Sequence, residues 1–203
     1  MRIQKYGASD FKTTTWSGGT TTELFIYPPE SEYAKRNFLL RLSSATVDLE
    51  QSEFTLLPGI RRFIAPLTGD LQIGHDGKQF ITLKPYELYE FDGGIKTVSI
   101  GKVRDFNVMV QNDIAANVQS TPLTSSADIT MRITQKEIGW LFSFDTAGEL
   151  RITVSAPENN RQTIQLDPMT LLIFKTDSAH QPEEITVSTK NTGKVLYGTV
   201  QVR

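Results

Sequence analysis

Cysteine is absent from the 203 residues, which excludes a disulfide framework, a thiolate metal site and a cysteine nucleophile. Histidine is scarce, at two residues, and the formal net charge is only −2, so the chain carries no basic footprint for nucleic acid. Long apolar runs are missing as well: no stretch reaches the roughly 18 uninterrupted apolar residues of a membrane span. The opening Met1-Arg2-Ile3-Gln4-Lys5-Tyr6-Gly7 lacks the apolar centre of a secretion signal. These absences together predict a cytoplasmic protein with neither a nucleic-acid nor a membrane partner.

What is present is β chemistry. Short alternating runs of β-branched and aromatic residues, separated by Gly, Pro, Asn and Asp, predict an all-β sandwich or barrel. The best helical candidate, Glu30 to Arg36, is short and follows Pro28-Pro29, which suits a strand exit or a helix start.

The chain also matches itself. Asp76-Gly77-Lys78-Gln79-Phe80-Ile81-Thr82-Leu83-Lys84-Pro85 and the strand to Phe91 align with Asn159-Asn160 through Phe174 at a constant offset of 83, Ile81 against Ile164. Gln79, Ile81, Leu83, Pro85, Leu88 and Phe91 recur as Gln162, Ile164, Leu166, Pro168, Leu171 and Phe174. Each copy opens on a dipeptide that tolerates the positive φ angles of a type I′ turn. With the preceding Leu67-Thr68-Gly69, the order of strand, glycine break, hairpin, L-x-P and strand resembles that of cupin barrels. The expected architecture is a cupin-like all-β bicupin, with an N-terminal half at 1–117, a Ser/Thr/Pro-rich linker at 118–128 and a C-terminal half at 129–203. Two unrelated meanders with shared turn chemistry are the alternative.

A metal site is not expected. His75 precedes Asp76-Gly77 at a hairpin tip, and His180 sits in the polar loop Asp177-Ser178-Ala179-His180-Gln181-Pro182; neither belongs to the H-x-H pattern of metal-binding cupins. Glu87, Glu90 and Asp92 are oxygen donors, but strand alternation puts Glu90 and Asp92 with Leu88 on one face and Glu87 on the other. No cofactor is expected either.

Four stretches hold polar or glycine residues that a plain barrel does not require: Thr14-Thr15-Trp16-Ser17-Gly18-Gly19-Thr20-Thr21-Thr22-Glu23, Leu39-Leu40-Arg41-Leu42-Ser43-Ser44-Ala45, Leu57-Pro58-Gly59-Ile60-Arg61-Arg62 and Arg104-Asp105-Phe106-Asn107-Val108-Met109. Arg41 is flanked by leucines, and a buried guanidinium needs a partner. That partner is a protein carboxylate such as Glu23 or a ligand carboxylate that fits its fork; otherwise Arg41 faces solvent and its stem covers apolar surface. Alternation groups Glu23 with Thr21, Phe25 and Tyr27. Gly18-Gly19 reads as a backbone cradle for an anion or as a tight turn, and it lacks the Lys-Ser/Thr of a P-loop.

In that order, these four stretches resemble the HutD/Ves family, whose fold is of cupin type. The resemblance spans most of residues 14 to 110. It implies a protein associated, in the HutD branch, with histidine utilisation, binding a small acid such as formylglutamate or urocanate and moderating the pathway; the Ves branch is linked loosely to stress. No established catalytic activity comes with it. By position it implies ligand-binding roles for Trp16, Gly18, Gly19, Thr21, Glu23, Arg41, Ser43, Arg62, Asp105, Phe106 and Asn107, beside the motif residues Pro58 and Gly59. One departure stands out: the residue before Arg62 is often acidic in the family and here is Arg61, which would favour a more anionic ligand.

The leading expectation is a binding protein for a small carboxylate, held in the N-terminal half by Arg41, Arg62 and hydroxyls. A metal-independent isomerase or hydrolase using Glu23 or Asp105 is the second reading, and the sequence assigns no catalytic residue. The third is an interaction module or homodimer paired through an exposed strand edge.

Overall fold

The structure is a computed structural model that describes residues 1–155, 160–176 and 182–202. The chain divides into two compact units, Phe11–Ile114 and a second made of Met1–Asp10 together with Ala115–Arg203. In chain order the strands are β1 (Arg2–Tyr6), β2 (Lys12–Trp16), β3 (Gly19–Tyr27), β4 (Leu40–Val47), β5 (Gln51–Glu53), β6 (Ile60–Thr68), β7 (Leu71–His75), β8 (Ile81–Leu83), β9 (Tyr89–Asp92), β10 (Thr97–Ile100) and β11 (Val103–Gln111). They continue as β12 (Ala116–Leu123), β13 (Ile129–Ile133), β14 (Glu137–Ser143), β15 (Gly148–Ser155), β16 (Asn160–Leu166), β17 (Thr170–Lys175), β18 (Glu183–Thr189) and β19 (Gly193–Gln201). The expected helix over Glu30 to Arg36 is only a 3-10 turn at Tyr33–Lys35.

Both units are pairs of antiparallel sheets. In Phe11–Ile114 the sheets run β2-β3-β4-β11-β6-β9 and β5-β10-β7-β8, and in the second unit β1-β17-β14-β19-β12 and β13-β18-β15-β16. Numbering eight strands from β4 in one unit and from β12 in the other gives the same two orders, 1-8-3-6 and 2-7-4-5. That is the double-sheet jelly-roll arrangement. The fold is therefore all-β and cupin-like, with the repeat written into its topology.

Turn chemistry explains why the repeat was visible. Asp76 and Gly77 both take positive φ, 50° and 70°, at the tip of the β7–β8 hairpin, as a type I′ turn demands. The matching Asn159 lies outside the described residues. After the two prolines, Tyr86 and Met169, themselves 83 apart, both adopt left-handed backbone at φ 70° and 60°. Lys84 N–H donates to the Glu87 carboxylate at 2.7 Å, and Asp167 N–H donates to Thr170 Oγ1 at 3.1 Å, so the same side-chain-closed turn is built twice.

Two boundaries differ from expectation. Residues 118 to 123, expected as the start of a linker, belong to β12 (Ala116–Leu123), which pairs in full with β19. Residues 1–10, assigned to the N-terminal half, belong to the second unit, because β1 pairs with β17 from Arg2↔Lys175 to Tyr6↔Leu171. A local sequence reading has no access to a partner so far along the chain.

The apolar residues of Phe11–Ile114 form two clusters, one around Ile64, Leu71, Ile73 and Phe91 and another around Phe38, Leu57, Ile60 and Met109. A cavity of about 340 Å³ borders both, touching Val47 and Phe54 of the first and Tyr33 and Met109 of the second. This is within the size range of small-molecule sites.

Candidate functional site

The floor of the cavity is the inner face of the larger sheet. β4 contributes Arg41, Ala45 and Val47, β6 contributes Arg62, and β11 contributes Asp105, Asn107 and Met109. Strand alternation brings each set to one face, and register places Asn107 opposite Ser43 and Ile64, and Met109 opposite Arg41 and Arg62. Thr14, Trp16 and Thr21 come from β2 and β3, while Tyr33 and the segment Ser52 to Thr55 complete the lining.

Arg41 is 5% exposed. Its Nε donates to Glu23 Oε2 at 2.7 Å, its Nη1 donates to Ser43 Oγ at 3.1 Å, and its guanidinium carbon lies 4.3 Å from the centre of the Tyr33 ring. Of the three expected environments, the protein carboxylate is the one observed. Glu23 and Ser43 thus act behind Arg41, holding its fork, and are not part of the cavity lining. Glu23 does not share its face with Phe25 and Tyr27. The register slips between Glu23 and Phe25, so that Ile26, not Phe25, lies opposite Arg41; a bulge of this kind turns every later side chain over.

Arg62 is a different case. It is 6% exposed, its guanidinium lies 4.6 Å from the Phe54 ring centre and 5.2 Å from that of Phe91, and its Nε makes one long hydrogen bond, 3.4 Å, to Asn107 Oδ1. Among the described residues no carboxylate pairs with it. Burial pulls its pKa down to about 10, with partial compensation from the negative charge of Asp105. Cation–π contacts recover about 1 to 2 kcal/mol when desolvated, less than the cost of a buried cation without a counter-charge.

Asp105 is 4% exposed and its carboxylate accepts one hydrogen bond, from Ala45 N–H to Oδ1 at 3.2 Å. Burial raises its carboxyl to about 6, and the Ala45 amide, Arg62 and Arg104 hold it from going further. On the opposite wall Ser52 Oγ is buried, with no hydrogen-bond partner among the described residues. The cavity therefore presents a cation that no carboxylate pairs with among the described residues and an acid whose side chain accepts one hydrogen bond.

The other expected residues lie elsewhere. A Cβ on Gly18 would fall 2.2 Å from the Trp16 ring, and one on Gly19 would fall 1.9 Å from the Thr46 carbonyl oxygen. The glycine pair lets Trp16 fold over the hairpin and lets β3 approach β4; neither glycine lines the cavity. Phe106 is fully buried opposite Ser44 and Ala65, on the other face of β11 from Asp105 and Asn107. Arg61 also points away from the cavity, pairing with Glu90 at 3.4 Å and donating to the Ile114 carbonyl at 2.8 Å, so it adds no charge for a more anionic ligand. Tyr33, Ser52, Phe54 and Met109 were missed, because nothing local in their sequence marks a cavity wall.

Among the described residues no cluster of His, Asp and Glu could hold a metal. His75 uses both ring nitrogens, with Thr97 Oγ1 at 2.9 Å and Tyr89 Oη at 3.0 Å, and His180 lies outside the described residues. Glu87 closes its turn, Glu90 pairs with Arg61, and Asp92 accepts from Gly94 N–H. No helix among the described residues is long and apolar enough to cross a membrane.

Comparison with known structures places the fold. A conserved protein of unknown function from Pseudomonas aeruginosa is 18% identical with a TM-score of 0.81, covering 99% of this chain and 100% of that one. HutD from Pseudomonas fluorescens, in a formate condition, is 20% identical with a TM-score of 0.73 and full coverage of both chains. The oxalate decarboxylase formate complex of Lactobacillus farciminis is 8% identical at a TM-score of 0.65, covering 98% of this chain and 86% of that one. Comparison with curated proteins gives no match. The profile of the HutD family, by contrast, matches residues 8–197, through both units, and the chain belongs to the HutD family.

Proposed function

We propose that this HutD-family chain is a small-molecule-binding protein that holds an organic carboxylate on Arg62, inside the unit Phe11–Ile114. The observation that carries this reading is the buried Arg62 guanidinium, which lines a cavity and has no carboxylate partner. A planar fork of N–H donors is matched by a carboxylate, and such bonds are the stronger, charge-assisted kind. Arg41 supplies a second positive charge, already shared with Glu23, so the site favours a monoanion or a weakly separated dianion. The family's link to histidine utilisation makes formylglutamate and urocanate the first acids to try, with modulation of that pathway in the cytoplasm as the proposed role.

The test is a thermal-shift and calorimetric screen of these two acids, with histidine, glutamate and sugar acids, on the native protein and Arg62→Met. A ligand that binds only the folded state raises Tm in proportion to the logarithm of its concentration. One acid should raise Tm in the native protein and not in the variant; a shift that survives Arg62→Met would overturn the assignment.

A second reading rests on Asp105. A carboxyl raised to about 6 and lining a cavity has the properties of a general acid or base, so the metal-independent enzyme remains a defined alternative. Its check is product formation from any acid that binds, lost in Asp105→Asn while binding persists. The interaction module loses support, since Glu23 and Arg41 pair and a cavity is still present beside them.

A further inference from the structure

The inner walls ask for more than a carboxylate. Asp105 is buried, lines the cavity with Arg62, and spends only Oδ1 on the protein, through Ala45 N–H. No described donor reaches its Oδ2. The charged groups around it are Arg62 on β6, Arg104 on its own strand, Arg41 with Glu23 on β4 and β3, and Glu53 across the cavity. Among the described residues Arg62 forms no ion pair with it. A bare carboxylate seated on Arg62 would share the cavity with this second acid and leave its free oxygen without a donor, which is unfavourable in a buried site.

We infer that the ligand of this cavity carries, besides the carboxylate that lies on Arg62, an N–H or O–H donor that lies on Asp105 Oδ2. This rests on the carboxylate reading above and specifies the class of acid: hydroxy acids, amino acids and acylated amino acids rather than plain fatty or keto acids. Burial raises the Asp105 carboxyl to about 6, so at pH 7.5 it is chiefly the acceptor-only anion.

Matched pairs of ligands test this directly. N-acetylglycinate and levulinate differ only in an N–H in place of a methylene, as do N-acetyl-β-alaninate and 5-oxohexanoate one carbon longer. Calorimetry at pH 7.5 should show the amide member of at least one pair binding about tenfold or more tightly, since a site built around a polar group rejects the analogue that leaves it unpaired. Asp105→Asn keeps the shape; with its Oδ1 still taken by Ala45 N–H, it turns an amide NH2 toward the cavity. That variant should abolish or reverse the preference, and Arg62→Met should abolish binding of all four. Equal, Arg62-dependent binding within both pairs would overturn this inference and leave the carboxylate reading standing. A preference that persists in Asp105→Asn would also overturn it, and absence of binding by all four and by the acids screened above would overturn both.

Discussion

The two units repeat one topology and put opposite chemistry at the same address. Phe91 and Phe174 are repeat partners; the residue opposite Phe91 on the neighbouring strand is Arg62, and the one opposite Phe174 is Gly139. Following the same registers, Asn107 corresponds to Tyr197 and Asp105 to Val195. In the second unit Ile133 lies so close over Gly139 that a Cβ there would sit 2.1 Å from its Cδ1, and Val195, Leu141, Leu172 and Phe174 close an apolar core. A jelly roll therefore has no inherent need of a polar interior. The cavity lies where one copy has an arginine, an aspartate and an asparagine and the other has a glycine, a valine and a tyrosine, and such departures from a locally consistent core are where function is expected.

The comparison can be broken by exchanging the equivalent residues. Gly139→Arg should have the largest effect: it forces a cation into an apolar core on top of Ile133, costing about 4 kcal/mol or more and unfolding the second unit. Each unit has its own tryptophan, Trp140 in the second and Trp16 in the first, so the loss should appear in the emission of Trp140. A Gly139→Arg protein with native Trp140 emission and unchanged urea midpoint would refute the equivalence.

Asp105 provides the next effect, through pH. Its carboxyl is raised from 3.8 to about 6 in the folded state, so the folded protein binds the proton more tightly than the unfolded chain. The associated stability is fully present below about pH 4 and is lost as pH rises through 6, by about 3 kcal/mol for two pH units at 1.4 kcal/mol each. Asp105→Asn should remove this component, and denaturation curves at pH 4.5 and 7.5 should differ less in the variant than in the native protein.

Glu23→Gln should cost about 1 to 2 kcal/mol, because it leaves buried Arg41 with a neutral partner; urea titration reads it. Arg62→Met should cost nothing and raise Tm by a few degrees at pH 7, since an apolar side chain of similar length relieves an uncompensated cation. A marked fall in Tm would show that Arg62 is held by interactions outside those described. The smallest effect is expected from Trp16→Phe at the 37% exposed rim, within about 0.5 kcal/mol as for most surface sites, with the emission that reports on the cavity removed.

The sequence showed much of this and missed the rest for physical reasons. The repeat was legible because turn chemistry is local: Asp76-Gly77, Pro85-Tyr86 and Pro168-Met169 fix the backbone wherever they occur. Arg41 and Glu23 were legible as a pair because a charge amid leucines demands a partner. The slip at Leu24 was not, since alternation counts residues and a bulge adds one. Gly18 and Gly19 were over-read, as the same dipeptide serves a cradle and a close strand contact. Ser52 and Phe54 reach the cavity only through the packing of one sheet on another, and Tyr33 through the fold of the β3–β4 connection, which no short window records.

The pairing of β1 with β17 has a consequence for synthesis. As the chain leaves the ribosome, all strands of Phe11–Ile114 are available once residue 114 has emerged, and that unit can close early. Strand β1, made before that unit, must then wait for its partner in residues 170 to 175. The unit Phe11–Ile114 is in effect an insertion within the chain of the second unit, finished first while its host is still incomplete. A change in β1 should accordingly register in the folding of β17 and its neighbours before it registers at Arg62.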